Sequence, residues 1–458
     1  MILRHVTSLC PRCLRRLEAV YEQDGDTTYL RKTCPEHGSF SAPVWVSAGP
    51  DMSGAPSFAS WARPKSPSYP ARPGASLTDG CPFDCGLCPA HAQHTCTALI
   101  EVTKRCDLVC PVCYADAGNK NAPDPPPAVV GAQFKVVKAA SGSCNVQISG
   151  GEPTLREDLP AIVALARDQG FALVQINTNG LRLGRDRGYA EKLRAAGLDS
   201  VYLQWDGVSD AVFEMLRGRA CMDIKRKAVQ ACATAGLGVV LVATLARGVN
   251  DAELGDLLRL ALSLGSAVRG VHFQPAASFG RYPWEMRDAP RLTLPEIMRA
   301  LALQAPELVR TEHFHPPGCE HALCSFSAVY ARTADGAGLQ WLPDAGQNCC
   351  PPTNLPPVAA EGARRARQFV ALHWKGSGKP ESAQNLNDDF SRFLSRAGAE
   401  KRFTISAMAF QDALNLDIDR VRGCCIHVAR PDGRLIPFCL HNLTSLDGAR
   451  LYGDAPEQ

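Results

Sequence analysis

The residues best suited to chemistry form a CxxxCxxC loop of three thiols: Cys106, Cys110 and Cys113. The loop directly follows a short apolar run that predicts a strand. An iron–sulfur cubane normally takes four thiolates, so a loop that supplies three leaves one iron without a protein ligand. An open iron can bind a small molecule, and the spacing therefore predicts a catalytic [4Fe–4S] cluster. A zinc loop is the alternative interpretation of the same spacing.

A second possible metal site lies near the N-terminus, where two short knuckles follow one another. They are Cys10-Pro-Arg-Cys13 and Cys34-Pro-Glu-His37. Three thiolates and one imidazole suit zinc or a single iron. Because a metal can stabilise so small a module, we expect a structural role here.

Two auxiliary [4Fe–4S] clusters are predicted from the remaining groups. The first repeats the CxxxCxxC spacing, but it follows a loose linker, and a nearby fourth thiol would close the cluster. Its predicted ligands are Cys81, Cys85, Cys88 and Cys96, with His91 and His94 as alternatives. The second takes its ligands from the last quarter of the chain. They are Cys319, Cys324, Cys425 and Cys439, with Cys424 as a replacement for Cys425.

Other cysteines are expected to hold no metal. Cys144, Cys221 and Cys232 lie in helical or strand patterns and are predicted to be core residues. The adjacent pair Cys349-Cys350 is expected to be one buried and one exposed thiol.

The elements that must position the catalytic loop form six strand–helix units. The predicted strands are Ala98–Val102, Val146–Ser149, Ala172–Ile176, Val201–Trp205, Val239–Thr244 and Val271–Gln274. The helical patterns between them include Leu159–Asp168, Tyr189–Ala196, Ile224–Ala235 and Ala252–Leu264. Serial βα units imply a parallel sheet with right-handed crossovers, and six are fewer than the eight of a closed TIM barrel. We therefore predict an α/β fold with a partial (β/α)6 TIM-like barrel, whose strand C-termini form the active mouth.

The cysteine loop and a glycine-rich turn after the second strand together resemble the radical S-adenosylmethionine (SAM) superfamily. The resemblance implies that SAM binds the open iron and is cleaved to a 5′-deoxyadenosyl radical. It also implies that backbone groups of the turn and its acid bind the methionine ammonium, and that polar strand ends face SAM or substrate. The residues so assigned are Tyr114, Gly150, Gly151, Glu152, Pro153, Asn177, Asn179, Gln204 and Asp206.

Motifs along nearly the whole chain resemble the archaeal tetraether lipid synthase family, which was also described as methylases of a 7,8-dihydropterin. They are Thr7-Ser-Leu-Cys-Pro-Arg-Cys13, Cys34-Pro-Glu-His-Gly38, Cys81-Pro-Phe-Asp-Cys-Gly-Leu-Cys-Pro89, Gln93-His-Thr-Cys96, and Cys425-Ile-His followed by Pro431-Asp-Gly-Arg-Leu-Ile-Pro-Phe-Cys439. The family implies several iron–sulfur clusters, an N-terminal mononuclear metal and an electron donor such as ferredoxin or flavodoxin. The leading expectation is carbon–carbon coupling of lipid alkyl chains. The alternatives are radical methylation of a pterin-like or other small molecule, and a non-catalytic zinc-rich interaction protein.

Composition narrows the setting. The 49 basic and 46 acidic residues nearly cancel, which gives no reason to expect nucleic acid as a partner. No apolar stretch is long enough to cross a bilayer, and Met1 to Leu9 is too short and polar for a signal peptide. We expect a cytoplasmic protein, with any membrane contact peripheral. The expected units are a metal module (1–47), a linker with the first auxiliary segment (48–97), the radical SAM core (98–305) and a Cys-rich C-terminal domain (306–458).

Overall fold

The computed structural model describes residues 1–47, 56–61, 65–70, 72–118, 121–343, 356, 358–376 and 402–453. Cys349 and Cys350 lie outside these residues, so their predicted environments are not described. Within the described residues, no helix is both long and apolar enough to cross a membrane.

The N-terminal module is an antiparallel meander of four strands paired in chain order. The strands are β1 (Ile2–Leu9), β2 (Arg16–Asp24), β3 (Thr27–Cys34) and β4 (Gly38–Val46). In β3, buried and less buried residues alternate, so one face of the sheet packs against the rest of the chain. The β1–β2 and β3–β4 turns lie at the same end of the meander, and they carry the two knuckles.

The middle of the chain forms the predicted partial barrel, and this fold prediction is confirmed. Its parallel strands are β5 (Thr97–Glu101), β6 (Asn145–Ser149), β7 (Leu173–Thr178), β8 (Ser200–Gln204), β9 (Gly238–Leu245) and β10 (Val268–Pro275). The helices up to this point and just beyond it are α1 (Phe58–Trp61), α2 (Pro127–Ser141), α3 (Leu159–Asp168), α4 (Leu181–Arg185), α5 (Tyr189–Ala195), α6 (Asp210–Arg217), α7 (Met222–Thr234), α8 (Leu254–Ser263) and α9 (Leu294–Gln304).

The strand β9 is a nearly continuous apolar run, as expected when both faces of a parallel sheet are covered, whereas β6, β7 and β8 also carry polar residues. In β9, seven of eight residues are buried. The thiols of Cys144, Cys221 and Cys232 lie buried in this core, as predicted.

The last zone of the chain lengthens the same sheet at both edges. Its strands are β11 (Ser325–Arg332), β12 (Leu339–Trp341), β13 (Arg402–Met408), β14 (Ile426–Ala429) and β15 (Leu435–Pro437). At one edge β13 pairs in parallel with β10 and is followed by β11 and β12; at the other edge β14 pairs in parallel with β5 and is followed by β15. The remaining helices are α10 (Ala359–His373), α11 (Ile418–Arg422) and α12 (Phe438–His441).

The N-terminal module is anchored to the segment just before α11 by buried hydrogen bonds. Tyr21 Oη donates to Asp417 Oδ2 at 2.7 Å, and Lys32 Nζ donates to the Ala413 carbonyl at 2.8 Å. Because these donors and acceptors are buried, each bond is costly to break. The module and the C-terminal segment are therefore held together at a polar, fully satisfied contact.

Candidate active site and thiol groups

The cysteine loop begins where β5 ends and is held against the glycine-rich turn after β6. The backbone N–H of Gly151 donates to the Thr103 carbonyl at 2.8 Å, and that of Glu152 donates to the Arg105 carbonyl at 2.8 Å. A Cβ on Gly150 or Gly151 would overlap one of these carbonyl oxygens, and Gly150 also has a φ of +129°. Only glycine permits this close approach of two backbone segments.

A cavity of about 310 Å³ occupies the barrel lumen, and all three thiols of the loop line it. Most of the predicted SAM-contacting residues line the same cavity: Tyr114, Gly150, Gly151, Glu152, Asn177, Asn179 and Gln204. Within the described residues, no fourth cysteine lines it. Burial raises the pKa of Cys106 to about 12 and also raises that of Cys110, since a thiolate is poorly solvated here. Bound metal supplies the positive charge that reverses this effect, so the three thiols fit an iron–sulfur cluster with one open iron.

Asp206 was predicted to contact SAM or substrate, but it does not line the cavity. It is fully buried and pairs with Arg217 at the end of α6, at 2.6 Å. Arg217 in turn donates from Nη1 to the Val112 carbonyl, 2.9 Å away inside the cysteine loop, and it lines the cavity. Sequence analysis missed Arg217, because no local motif marks a single arginine at a helix end.

Glu152 joins the glycine-rich turn to the end of β7. One carboxylate oxygen accepts from the Thr178 hydroxyl at 2.7 Å, and the other accepts from the Asn179 backbone N–H at 2.7 Å. Thr154 donates to it twice, at 2.6 and 3.0 Å. Burial nevertheless raises its pKa. The predicted contact of this acid with the methionine ammonium therefore competes with four protein donors. Pro153 is buried behind the turn, starts a short 3-10 segment and does not line the cavity.

Tyr114 and Asn177 line the cavity and share a hydrogen-bond partner, Ser149. Tyr114 Oη is 2.9 Å from Ser149 Oγ, and its ring packs 5.3 Å from that of Phe438. Asn177 Nδ2 donates to the same Ser149 hydroxyl at 3.3 Å, while its Oδ1 is buried without a hydrogen-bond partner. A buried carbonyl oxygen without a donor is rare in proteins and fits a site that a ligand completes.

The two N-terminal knuckles meet as predicted. The ligand atoms of Cys10, Cys13, Cys34 and His37 all lie within 4.8 Å of one another. His37 Nδ1 is 3.4 Å from the Cys34 sulfur and 3.7 Å from the Cys10 sulfur. Three thiols and one imidazole converging on a point fit a tetrahedral mononuclear metal.

The remaining thiols group differently from the prediction. Cys96, predicted to join Cys81, Cys85 and Cys88, instead lies within 4.8 Å of Cys319 and Cys425. The Cys96 and Cys319 sulfurs are in bonding contact, yet their Cα atoms are 7.3 Å apart. Disulfides usually span about 4.4–6.8 Å between Cα atoms. Three convergent thiols with this backbone spacing fit a shared metal better than a disulfide.

Cys324 and Cys439, predicted to ligate together with Cys319 and Cys425, line a small second cavity that they share with Cys424. The buried guanidinium of Arg420 lies 3.3 and 3.4 Å from the Cys324 sulfur. Burial raises the pKa of Cys439 to about 12. Cys425 lines this cavity as well, so the C-terminal thiols form two adjoining groups.

In the first predicted auxiliary group, Cys81, Cys85 and Cys88 are close in the chain, whereas Cys96 lies elsewhere in the fold. Cys81 and Cys85 are hydrogen-bonded to each other, and this interaction lowers the pKa of Cys81. The two possible histidine ligands point elsewhere: His91 Nε2 lies 2.8 Å from the Cys424 carbonyl, and His94 Nε2 lies 2.7 Å from Ser68 Oγ. Neither histidine is therefore placed to complete the Cys81 group.

Comparisons with known proteins agree with this geometry. The radical SAM superfamily profile matches residues 100–261, and the profile described as the HMPTM N-terminal zinc ribbon domain matches residues 2–46. The 7,8-dihydro-6-hydroxymethylpterin dimethyltransferase of Methanocaldococcus jannaschii is 32% identical over 95% of this chain and 92% of its own length. A probable GTP 3′,8-cyclase of Aeropyrum pernix is 32% identical over 39% of this chain and 50% of its own length.

Among solved structures, the FeFe-hydrogenase maturase of Carboxydothermus hydrogenoformans matches 47% of this chain and 52% of its own, with 14% identity and a TM-score of 0.38. The near full-length relative and the superfamily profile carry the assignment. The chain belongs to the radical SAM superfamily of enzymes, in the family of the archaeal 7,8-dihydro-6-hydroxymethylpterin dimethyltransferase.

Proposed function

We propose that this radical SAM enzyme methylates an unactivated carbon of a small, polar, pterin-like heterocycle. The observation that carries the proposal is the 32% identity, over nearly the whole of both chains, with a dimethyltransferase of such a pterin. The lumen supports it, because 310 Å³ lies at the lower end of the range for small-molecule pockets. This proposal replaces lipid coupling as the leading function.

The chain's own residues divide the work. Cys106, Cys110 and Cys113 would hold the SAM-binding [4Fe–4S] cluster, which when reduced cleaves SAM and supplies a carbon-centred radical. Gly150 and Gly151 would let backbone groups approach the methionine end of SAM, and Tyr114 and Asn177, which line the same cavity, would contact the bound cofactor. The apolar side chains of the lumen exclude water, which would otherwise quench reactive species.

The other thiol groups would hold the auxiliary iron–sulfur clusters and the N-terminal zinc or iron. We propose a group at Cys96, Cys319 and Cys425 and a neighbouring group at Cys324, Cys424 and Cys439. Cys81, Cys85 and Cys88 would form a further group, whose fourth ligand would come from outside the segment. An electron donor such as ferredoxin or flavodoxin would reduce the clusters.

Coupling of lipid alkyl chains is the second candidate. The lumen runs along the barrel strands, and part of its lining is apolar: Leu99, Leu173, Val242, Val370 and Met408. An extended alkyl chain would suit these side chains, whereas it would leave the amides of Gln147 and Gln175, which also line the cavity, facing hydrocarbon. The amides therefore favour the polar heterocycle.

The deciding experiment supplies both substrates to anaerobically reconstituted enzyme. One reaction contains 6-hydroxymethyl-7,8-dihydropterin with SAM carrying a 13C-labelled methyl group, and the other contains a phospholipid with deuterated chain termini. We expect a pterin product heavier by a methyl group and 5′-deoxyadenosine without deuterium from the lipid. The Cys110→Ala variant is the control and should form neither product.

Other outcomes contradict the proposal in different ways. Deuterated 5′-deoxyadenosine together with an unmethylated pterin would support lipid coupling instead. A colourless protein that carries only zinc after reconstitution would overturn both enzymatic candidates.

A further inference from the structure

The lumen has two chemically different ends. The thiols of the cysteine loop, with Ser149 and Thr178, line it where β6 and β7 finish. Asn145 and Leu173, the first residues of the same strands, line it at the opposite end. Glu320 and Trp374 also line the lumen and belong to this end: Cys319, the neighbour of Glu320, lies beside Cys96 just before β5, and the Trp374 carbonyl lies against Gly238 at the start of β9. Four residue steps along β6 lead from Asn145 to Ser149, which corresponds to about 13 Å. A substrate that fills the lumen therefore meets Glu320 far from the carbon that reacts.

The backbone around Glu320 is held rigidly from outside the cavity. Lys65 Nζ donates to the Pro317 carbonyl at 3.1 Å and also to the Glu320 carbonyl. Gln93 Nε2 donates to the Cys319 carbonyl at 2.8 Å. These bonds fix three successive parts of the segment, so the carboxylate is presented to the cavity from a preorganised backbone, as recognition residues require.

The cation that interacts with this carboxylate, Lys65, already donates its hydrogen bonds to other groups. Lys65 interacts with Glu320 electrostatically, but its hydrogen bonds go to backbone carbonyls. The Glu320 carboxylate itself accepts a hydrogen bond from its own backbone N–H. His272, which also lines the cavity, lies 2.8 Å from Ser406 Oγ and is neutral, because burial lowers its pKa to about 4. The carboxylate therefore keeps acceptor capacity for a ligand.

Flat aromatic and amide groups surround the same end of the lumen. The Tyr202 ring lies 5.6 Å from His272 and 6.1 Å from Trp374, and all three line the cavity. Gln147 Nε2 donates to Gln175 Oε1 at 2.8 Å, across neighbouring strands. Aromatic faces and amides suit a planar heterocycle with polar edges, and a carboxylate beside them suits paired N–H donors.

We propose that Glu320 is the specificity-determining residue for substrate, and that it binds the cyclic N–C–NH2 edge of an aminopyrimidinone ring. The inference rests on the proposed function and names the atoms by which that site would select its substrate. Two parallel N–H···O bonds would run from the ring N–H and the exocyclic amine to the two carboxylate oxygens. The ring's opposite edge then points along the lumen toward Cys106, Cys110 and Cys113.

The test compares two ligands that differ in that edge. The probes are 6-hydroxymethyl-7,8-dihydropterin and its lumazine analogue, in which an oxo group replaces the exocyclic amine. Binding to the reconstituted enzyme with SAM is measured anaerobically by equilibrium dialysis. Wild type should prefer the pterin by about tenfold or more, since the analogue's oxo group would leave an oxygen of the half-buried Glu320 carboxylate facing another acceptor. Glu320→Gln should weaken pterin binding by about tenfold or more and remove most of the preference.

Two further variants serve as controls, one outside the site and one that keeps the carboxylate. Glu312→Gln, an exposed residue of the same segment, should bind both ligands as wild type does. Glu320→Asp keeps a carboxylate and should retain part of the preference for the pterin. Iron content is measured for each variant, so that damage to the neighbouring thiol group is not mistaken for lost recognition.

The inference and the proposed function fail in distinguishable ways. Wild-type affinity for the pterin in Glu320→Gln, or no preference between the probes in wild type, overturns the role of Glu320. Binding that depends on Glu320 but yields no methylated product overturns the proposed function alone. A wild-type enzyme that binds no pterin overturns both.

Discussion

Asp206 and Arg217 form a two-bonded buried ion pair beneath the cysteine loop. Arg217 Nε donates to Asp206 Oδ2 at 2.7 Å, and Nη2 donates to Oδ1 at 2.6 Å. The guanidinium also donates to the Thr244 hydroxyl and to the Val112 carbonyl, which lies between Cys110 and Cys113. The pair therefore fixes the loop to the end of β8 through a planar fork, a geometry that lysine cannot reproduce.

Replacing Arg217 with methionine is expected to lower both stability and iron content. The variant leaves the buried Asp206 carboxylate without its cationic partner, although the Thr244 backbone N–H and the Gln204 amide still donate to it. Loss of one partner of a buried ion pair costs about 3–5 kcal/mol of the free energy of unfolding. The loop also loses its anchor at Val112, so we expect at least about a tenfold fall in 5′-deoxyadenosine formation, the loss equivalent to about 1.4 kcal/mol of lost positioning. Urea unfolding, iron analysis and product quantification measure the three effects.

Two variants separate stability from positioning. Arg219→Met changes an exposed arginine two residues along and should leave all three measurements unchanged. The double variant Asp206→Leu with Arg217→Met removes both charges, so it should recover much of the stability but not the iron. Full iron content in Arg217→Met would show that the ion pair does not position the loop.

Gly151→Ala is expected to weaken SAM binding while the fold persists. An added Cβ would overlap the Arg105 carbonyl and press on Ala117, so the turn must move away from the cysteine loop. We expect SAM affinity to fall by about tenfold or more, because each displaced hydrogen bond to a charged ligand is worth about 1.5–3 kcal/mol. Equilibrium dialysis with labelled SAM provides the measurement.

The matched control is Gly131→Ala in α2, where an added Cβ meets no atom within 4 Å. This change should leave SAM affinity unaltered and slightly stabilise the helix, since alanine is the better helix former. Unchanged affinity in Gly151→Ala would mean that the turn does not approach SAM through its backbone.

The sequence predicts the barrel well because each of its units is local and strongly patterned. The helix Leu159–Asp168 is found as predicted, and the six strands differ from prediction only at their ends. The strands that extend the sheet were missed: β14 has four residues and β15 has three, too few for a periodic pattern. The strand β13 (Arg402–Met408) has seven residues, and its apolar side chains give a stronger strand pattern than β14 or β15, but it was missed as well.

The difference between local patterns and contacts made by the fold also explains which metal ligands the sequence predicts. Spacing finds ligands that are close in the chain, as at Cys10 and Cys13 or in the loop from Cys106 to Cys113. It cannot find partners brought together by the fold, such as Cys96 and Cys319, which are 223 residues apart. Proximity in sequence therefore assigned Cys96 to Cys81, Cys85 and Cys88, whereas in the structure its thiol lies beside those of Cys319 and Cys425, and nothing local marked the ion pair of Arg217.

Counting iron in paired variants tests the regrouping of Cys96. If Cys96 and Cys425 serve one cluster, the double variant Cys96→Ala with Cys425→Ala should lose no more iron than either single variant. If Cys96 and Cys88 serve different clusters, their double variant should lose the sum of the two single losses, about eight irons for two [4Fe–4S] clusters. Iron analysis and Mössbauer spectroscopy of anaerobic protein distinguish these patterns.

Cys232→Ala is the control, because this buried thiol lies in the core away from the thiol groups. It should bind as much iron as wild type. Two results would contradict the grouping seen in the structure. One is an iron loss in the Cys96 and Cys425 double variant that equals the sum of the two single losses. The other is an iron loss in the Cys96 and Cys88 double variant that is no larger than in either single variant.

Acid is expected to destabilise the protein partly through His272. Burial lowers its pKa from 6.5 to about 4 in the folded state. Between these values the unfolded chain binds a proton that the folded chain does not, so stability falls as the pH drops from 6.5 toward 4. The slope for one such group approaches about 1.4 kcal/mol per pH unit. His272→Gln should therefore lose about 1 kcal/mol less than wild type between pH 7.5 and 5.5.

Urea unfolding at the two pH values measures this difference. His91 is also buried with a pKa lowered to about 4, so the variant keeps part of the acid sensitivity and should not become pH-independent. His5→Gln, an exposed position, serves as the control and should follow the wild-type profile. Equal losses in wild type and His272→Gln would mean that His272 accepts its proton within the folded lumen, where a charged ring would place a cation beside Tyr202 and compete with a substrate for Glu320.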